Sequence, residues 1–352
     1  MGETNLVTMT SVASYAGEDE DGACLHAQTL VYAFNITMTV KAAIQLGLLD
    51  ALSAANGCAL TADELAAQIQ AADNAEVAVS VDRILRYLAS FNVVKCSTET
   101  GPNGRVLRRY AAGPACRWLT RNNGEGHHIA AAVADGVVQT PFQRAHGSPI
   151  FDYMGTSPRL SSLFDQAMAQ QSMLVVNKLL DHPKVFDGVG VLIDVGGGTG
   201  ATLAMITNRY KHIRGINFDL SHVISEAPSF QGVEHVAGNW FDSVPSGDAF
   251  IMKWILHMQD DDDCIKILKN CHRALPDNGK VIVVQSILPA TPEATPAARD
   301  SFTMDMIMLV NFKGGRERTE QEYAELARGA GFAGAFRSTY IFCNIYALEF
   351  TK

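Results

Sequence analysis

The chain lacks any uninterrupted apolar run approaching the roughly 18 to 20 residues that a membrane-spanning helix needs. It shows no leader either: the N-terminal stretch MGETNLVTMTSVASYAGEDEDG is acidic, without the basic and apolar regions of a signal peptide. Gly2 does not make a myristoylation site, because Leu6 stands where that motif requires Ser or Thr. A cytosolic location is therefore expected, with no membrane partner. Basic charge is scarce: 28 Lys and Arg against 37 Asp and Glu leave a net charge of -9, which argues against a phosphate-neutralising surface and hence against a nucleic-acid partner. The seven cysteines are odd in number and scattered, with no C-x-x-C, so neither a disulfide framework nor a zinc site is indicated. No internal repeat or low-complexity tract is present.

What remains is 352 residues, 47% of them hydrophobic, enough for two domains or one large one. From about Ala23 to Ala55, apolar residues recur at helical spacing, interrupted by Asn35 and Thr37. Thr61 and Glu64 form a capping-box pattern, and VSVDRILRYLASFNVV reads as an amphipathic helix running into a strand. GPNGRVLRRYAAGPACRWL then resembles a short hairpin with Gly and Asn at its turn. Three helices and a wing outline a winged helix. The acidic balance and the apolar first helix fit a dimerisation module better than a DNA reader.

Residues from about His127 to Val185 read as mostly helical, with Pro158 near the first turn of one helix. Beyond Gly188, VGVLIDVG, IRGINFDL, VEHVAGN, DAFIMKWIL and KVIVVQSIL are short β-rich runs alternating with helix-length segments. That alternation predicts an α/β fold with a Rossmann-like, doubly wound, mainly parallel sheet. The tail AFRSTYIFCNIYALEF, divided by Cys343 and Asn344, predicts a closing antiparallel pair. The expected domains are 1–120, a winged-helix-like dimerisation module, 121–185, a helical linker, and 186–352, the α/β domain.

In LIDVGGGTGAT, Gly196, Gly198 and Gly200 follow the first strand of this sheet, where a tight turn and close approach of backbone to a ligand exclude a Cβ. The loop also satisfies the dinucleotide pattern loosely, so an NAD enzyme is an alternative. Asp219, ending the second strand, is placed to accept hydrogen bonds from a ribose diol in either case. Asp194, before the glycines, is suited to a cationic or amine-bearing ligand, and the terminal antiparallel pair is unusual for a dinucleotide fold.

Together LIDVGGGTGAT, GINFDLSHVI, GVEHVAGNWF, FIMKWILH, LKNCHRALPDNGKVIVV and GGRERTEQEY resemble the plant caffeic acid O-methyltransferase family over nearly the whole chain. The resemblance implies a homodimer using S-adenosylmethionine and no metal, with N-terminal helices reaching over the partner's active site. By the same resemblance the 121–185 linker contributes to an acceptor pocket and the 186–352 domain binds the cofactor. It implies that Asp194, Gly196, Gly198, Gly200, Asp219 and Leu220 bind the cofactor, with Asn239, Trp240 and Lys253 around its adenine end. It makes His257 the general base, bracketed in the family by two glutamates.

A phenol of pKa about 10 must lose its proton to a histidine near 6.5, a mismatch of about 5 kcal/mol that the site has to reduce. Glu317 matches one family glutamate, but Gln285 stands in place of the other, and Met258 replaces an Asp that follows the base. An amide does not stabilise imidazolium as a carboxylate does. A neutral amine already carries its lone pair, so these losses harm a phenol more than an amine. The resemblance puts Phe164, Met168, Gln171, Ile307, Met308 and Phe312 in the acceptor pocket. Phe312 replaces an Asn and Gln171 a His, leaving an apolar, aromatic-lined space for a flat ring.

Taken alone, each of these residues has a plainer reading. His257 would be a polar residue ending a strand, and Phe164, Met168 and Gln171, at i, i+4 and i+7, would be one packed helix face. The acids Asp260 to Asp263 read as helix caps and dipole partners, not a metal site. The expected activity is methylation of a small aromatic plant metabolite, leaning to an indolic or aryl amine nitrogen, with phenolic O-methylation as the alternative. A DNA-binding regulator and an inactive scaffold remain as other classes.

Overall fold

The computed structural model describes residues 20–69, 75–100, 106–116, 119, 140–156, 168 and 171–352. The long apolar stretch of the N-terminal region is divided into α1 (Glu20–Val31), α2 (Ala33–Gln45) and α3 (Leu48–Ala54), the last break falling at Gly47 with φ 74°. α4 (Ala62–Ala66) begins with the expected reciprocal cap between Thr61 and Glu64, and α5 (Ala75–Ser90) follows.

The helix runs into a strand as expected: β1 (Val94–Thr100) follows α5 and pairs antiparallel with β2 (Val106–Ala112), so the Gly and Asn of GPNGR fall between the two strands, and the hairpin begins before the GPNGR stretch that marked it in sequence. Leu49, Leu52, Leu65, Ile84, Leu88 and Tyr110 form the core of this region. Among the described residues, no single helix is long and apolar enough to cross a membrane.

α6 (Pro141–His146), α7 (Ile150–Gly155) and a helix at 171–179 lead into the sheet. β3 (Val191–Val195), β4 (Arg214–Asp219), β5 (Val233–Ala237), β6 (Ala249–Lys253) and β7 (Lys280–Ser286) are parallel. β8 (Phe336–Phe342) and β9 (Ile345–Thr351) complete the order β5-β4-β3-β6-β7-β9-β8, with β9 antiparallel to both neighbours. The turn between them is the predicted Cys343–Asn344 pair, with φ 44° and 61°, the doubly left-handed geometry that a two-residue hairpin favours.

Both faces of the sheet are covered, which is why its strands are apolar runs without alternation. Ile193, Phe250 and Val283 pack on one face against α10 (Asp261–Ala274) and α12 (Glu320–Gly329). Leu192, Ile251 and Ile282 pack on the other, with α8 (Ala201–Arg209). α9 (Ser221–Ser225) is a short connection after β4. α11 (Pro296–Asn311) gives Phe302, Met306 and Leu309 to the N-terminal core, so the two halves of the chain share one helix.

The strand order reverses between β3 and β6: successive strands run outward to β5 on one side and to β7 on the other. Open α/β sheets bind ligands outside the carboxyl ends of the strands at such a point. The glycine loop leaves β3 there, and the KWILH segment leaves β6 beside it.

Candidate active site

The loop after β3 is a backbone cradle. Gly196, Gly198 and Gly200 all have positive φ, at 73°, 58° and 86°, conformations that favour glycine. At Gly197 a Cβ would collide with the side chains of Asn217 and Asp194. Asp219 braces the loop: Oδ2 accepts from the Gly198 N–H at 2.9 Å and Oδ1 from the Leu220 N–H at 2.7 Å. Asn217 Nδ2, from the middle of β4, donates to the Gly198 carbonyl at 2.8 Å.

Beneath this cradle Asp194 is 2% exposed, and its Oδ2 has no hydrogen-bond partner. Burial pushes its carboxyl up to about 7, with Lys253 pulling against the shift and Asp219 adding to it. Burial likewise brings Lys253 down to about 8, opposed by Asp194. Two half-compensated charges at the ends of adjacent strands are the electrostatic signature of a site prepared for a polar ligand. Trp240 packs over Gly196, and Leu220 is a conspicuously exposed apolar side chain. Asn239 is exposed, with Oδ1 accepting from the Phe241 N–H at 3.0 Å. The site fits an amine-bearing nucleoside: a bare buried carboxylate, a cradle with no room for Cβ, and flanking apolar surfaces.

His257 occupies a single 3-10 turn, Leu256–Met258, after β6. It is buried, and its Nδ1 lies 2.6 Å from Glu317 Oε1, which leaves Nε2 as the nitrogen free for an acceptor. The Trp254 ring lies 5.3 Å from the imidazole. Gln285 does not share this role. Although fully buried, its amide nitrogen and oxygen are both without partners, and no hydrogen bond joins it to His257. Of the two bracketing positions only the Glu317 one holds the imidazole.

The supports of this pair were invisible in sequence. Arg318, fully buried, donates to the Leu256 and Gln259 carbonyls at 3.0 and 2.8 Å and to Asp261 at 2.7 Å. The Arg316 N–H donates to the His257 carbonyl at 2.7 Å. Asp305, on α11, accepts from the Glu317 N–H at 3.0 Å and from Arg83 Nε of α5 at 3.0 Å. Only GGRER, next to Glu317, hinted at such a clamp. The acidic run behaves as read: Asp260 caps α10 through the Asp263 N–H, while Asp261 pairs with the two arginines. The only two arginines of the would-be recognition helix, Arg83 and Arg86, are buried in ion pairs with Asp305 and Asp82, so they do not face a phosphate backbone.

On the acceptor side, Met308 is buried, Ile307 and Phe312 are part-buried, and the Phe151 ring lies 5.6 Å from that of Phe312. Met168 is 36% exposed and Gln171 part-buried; Phe164 lies outside the described residues. Phe151 was not singled out in sequence, where it reads as an ordinary helix residue.

The chain matches the family described as O-methyltransferase domain over residues 127–333 and that described as O-methyltransferase dimerisation domain over residues 28–122. It is 57% identical to a protein of Oryza sativa subsp. japonica named as a probable inactive methyltransferase, covering 97% of each chain. It is 54% identical to 3-aminomethylindole N-methyltransferase of Hordeum vulgare subsp. vulgare, covering 98% of this chain and 97% of that one. With caffeic acid 3-O-methyltransferase of Zea mays it shares 48% identity over 98% of this chain and 99% of that one. The solved structure of LaPhzM, 27% identical, overlays with a TM-score of 0.55, covering 93% and 98% of the two chains. With its glycine cradle at the switch point and relatives along almost its whole length, the chain belongs to the plant caffeic acid O-methyltransferase-like family of S-adenosylmethionine-dependent methyltransferases.

Proposed function

We propose that this enzyme methylates a nitrogen of a small aromatic metabolite, an indolic or aryl amine, working as a homodimer in the cytosol. The observation that carries this reading is the neutral, buried and unpartnered amide at Gln285, with Glu317 the one carboxylate hydrogen-bonded to the His257 ring. A phenol needs a strong base, whereas a neutral amine needs only a place and a direction. The barley relative named as an N-methyltransferase is consistent with that choice.

S-adenosylmethionine supplies an electrophilic methyl group on a sulfonium. Gly196, Gly198 and Gly200 let the backbone approach it, Asp194 receives its amino group, Asp219 faces its ribose, and Leu220, Asn239, Trp240 and Lys253 surround its adenine end. Phe164, Met168, Gln171, Ile307, Met308 and Phe312 hold the acceptor ring and exclude water. His257 Nε2 orients the acceptor heteroatom and holds a proton when one must leave, with Glu317 fixing the ring from Nδ1. The same reading makes 1–120 a winged-helix dimerisation domain, 121–185 a helical linker bordering the acceptor, and 186–352 the cofactor domain.

O-methylation of a phenolic hydroxyl is the second reading. The short His257–Glu317 contact favours it, because a carboxylate on Nδ1 raises the basicity of Nε2. That same pair argues against a scaffold without activity, despite the name of the rice relative. Turnover of labelled S-adenosylmethionine over a mixed panel of phenolic acids, flavonoids and indolic or aryl amines decides, with products resolved by mass spectrometry. Methyl found on amines supports the first reading, and methyl found only on phenols removes it.

A further inference from the structure

α11 carries a stripe that neither core claims. Asp300, Met304, Ile307 and Asn311, at i, i+4, i+7 and i+11, lie on one face and are all only part-buried. Ser301, Phe302, Asp305, Met306 and Leu309, on the opposite side, are buried. Ile307 belongs to the proposed acceptor wall, so Asp300 stands on that wall two turns nearer the start of the helix. It lies beyond the first turn, where a carboxylate would simply serve the helix dipole.

Its surroundings are unusual for a carboxylate removed from solvent. The Gln28 amide of α1 donates to its two oxygens at 2.8 and 3.2 Å. Among the described residues no ion pair joins it to a Lys, Arg or His, although Asp305, Asp261 and Glu349 each have one. Burial, followed by the charge of Glu317, pushes its carboxyl up to about 7. Glu317 keeps Oε2 without a partner, and so does the whole amide of Gln285, with both side chains at most 1% exposed. Buried polar atoms left bare are normally satisfied by something, and a carboxylate without an ion-pair partner, as Asp300 is, calls for a cation from outside.

We infer that Asp300 is the binding group for the amino end of the acceptor, a carboxylate on the acceptor wall that takes in an amine and turns away phenolic acids. The inference rests on the nitrogen reading above and adds to it the residue that selects the substrate class. An acceptor arriving as ammonium has no lone pair, so one proton passes from its nitrogen to the Asp300 carboxylate. This leaves a neutral amine hydrogen-bonded to a carboxylic acid, and no further reactant is consumed. A carboxyl that titrates near neutrality is suited to holding that proton.

The test is calorimetric titration of the full-length protein, saturated with S-adenosylhomocysteine, with an indolic alkylamine and with the alcohol of the same shape. Asp300→Asn is expected to weaken the amine by about tenfold or more, the scale of a hydrogen bond to a charged group, and to leave the alcohol within about twofold. Asp300→Glu should recover part of the loss. Affinity for S-adenosylhomocysteine and the unfolding midpoint report whether the variants are folded. Equal losses for both ligands, or undiminished amine binding by Asp300→Asn, overturn the inference. Labelled-methyl turnover separates it from the nitrogen reading: methyl found only on phenols sinks both, because the acceptor then has no amino end for Asp300 to select. Amine methylation by wild type with amine binding unchanged in Asp300→Asn sinks the inference alone.

Discussion

Arg83 and Asp305 form a buried ion pair 222 residues apart in sequence, with Nε 3.0 Å from Oδ2, and the same aspartate accepts the Glu317 N–H. A helix of the N-terminal domain is thereby joined to the residue that holds the catalytic-site histidine. Asp305→Ala leaves the Arg83 guanidinium buried without its counter-charge and is expected to cost about 3 to 5 kcal/mol. Urea unfolding monitored by circular dichroism measures the loss, and a midpoint within error of wild type would refute the structural importance of the pair.

Glu317→Gln keeps the shape but removes the charge on Nδ1, so His257 becomes a weaker base. Methylation of phenols should fall by about tenfold or more while that of amines changes little. In the opposite direction, Gln285→Glu should raise phenol turnover. Rates on paired phenol and amine acceptors check both, and a Gln285→Glu enzyme that gains on amines and loses on phenols contradicts the account.

Stability should depend on pH through Asp194 and Lys253. The folded protein retains the Asp194 proton up to about 7, whereas an unfolded chain sheds it near pH 4, so stability falls as pH rises through that interval. Lys253 releases its proton at about 8 when folded and at about 10.4 when unfolded, so stability recovers as pH rises from there. The pair's contribution is lowest between about pH 7 and 8. Denaturation midpoints from pH 4 to 10 should show a dip that flattens in the double variant Asp194→Asn, Lys253→Met; an unchanged profile counts against the assignment.

The Phe312 ring packs near that of Phe151, and the proposed function puts it in the acceptor pocket. Ring contacts of this kind are worth about 0.5 to 1.5 kcal/mol beyond burial. Phe312→Asn should raise KM for flat apolar acceptors by roughly threefold to tenfold and improve the relative use of hydroxylated ones. Steady-state kinetics on both classes measures the shift, and an unchanged ratio of kcat/KM values places Phe312 outside the pocket.

The sheet was legible because each β run is apolar, short and bounded by turn residues, and the Cys343–Asn344 turn appeared at its expected place. Of the N-terminal hairpin the turn and the start of β1 were legible, whereas the rest of β1, KCSTET, is polar and largely exposed and carries no strand pattern. Of the site, the glycines and His257 announced themselves by position after strands. Asp305, Arg318 and Asp300 did not, since their partners lie tens to hundreds of residues away and a charged residue in a helix or loop reads as a solvated one. Gln285 was expected to flank the imidazole; its buried amide has no hydrogen-bond partner, and Glu317 alone bonds the ring.

The fully buried Arg318 ties the turn carrying His257 to the segment carrying Glu317, so the two side chains are held on one rigid bracket. α11 enters that bracket only through Asp305, which accepts the Glu317 N–H, while its part-buried face with Asp300, Met304 and Ile307 makes none of the bracket's hydrogen bonds. Substitutions there can change what is methylated without loosening the proton-handling pair. A lineage built this way can explore new acceptors while its reaction machinery stays fixed, which makes substrate choice the most evolvable property of the molecule.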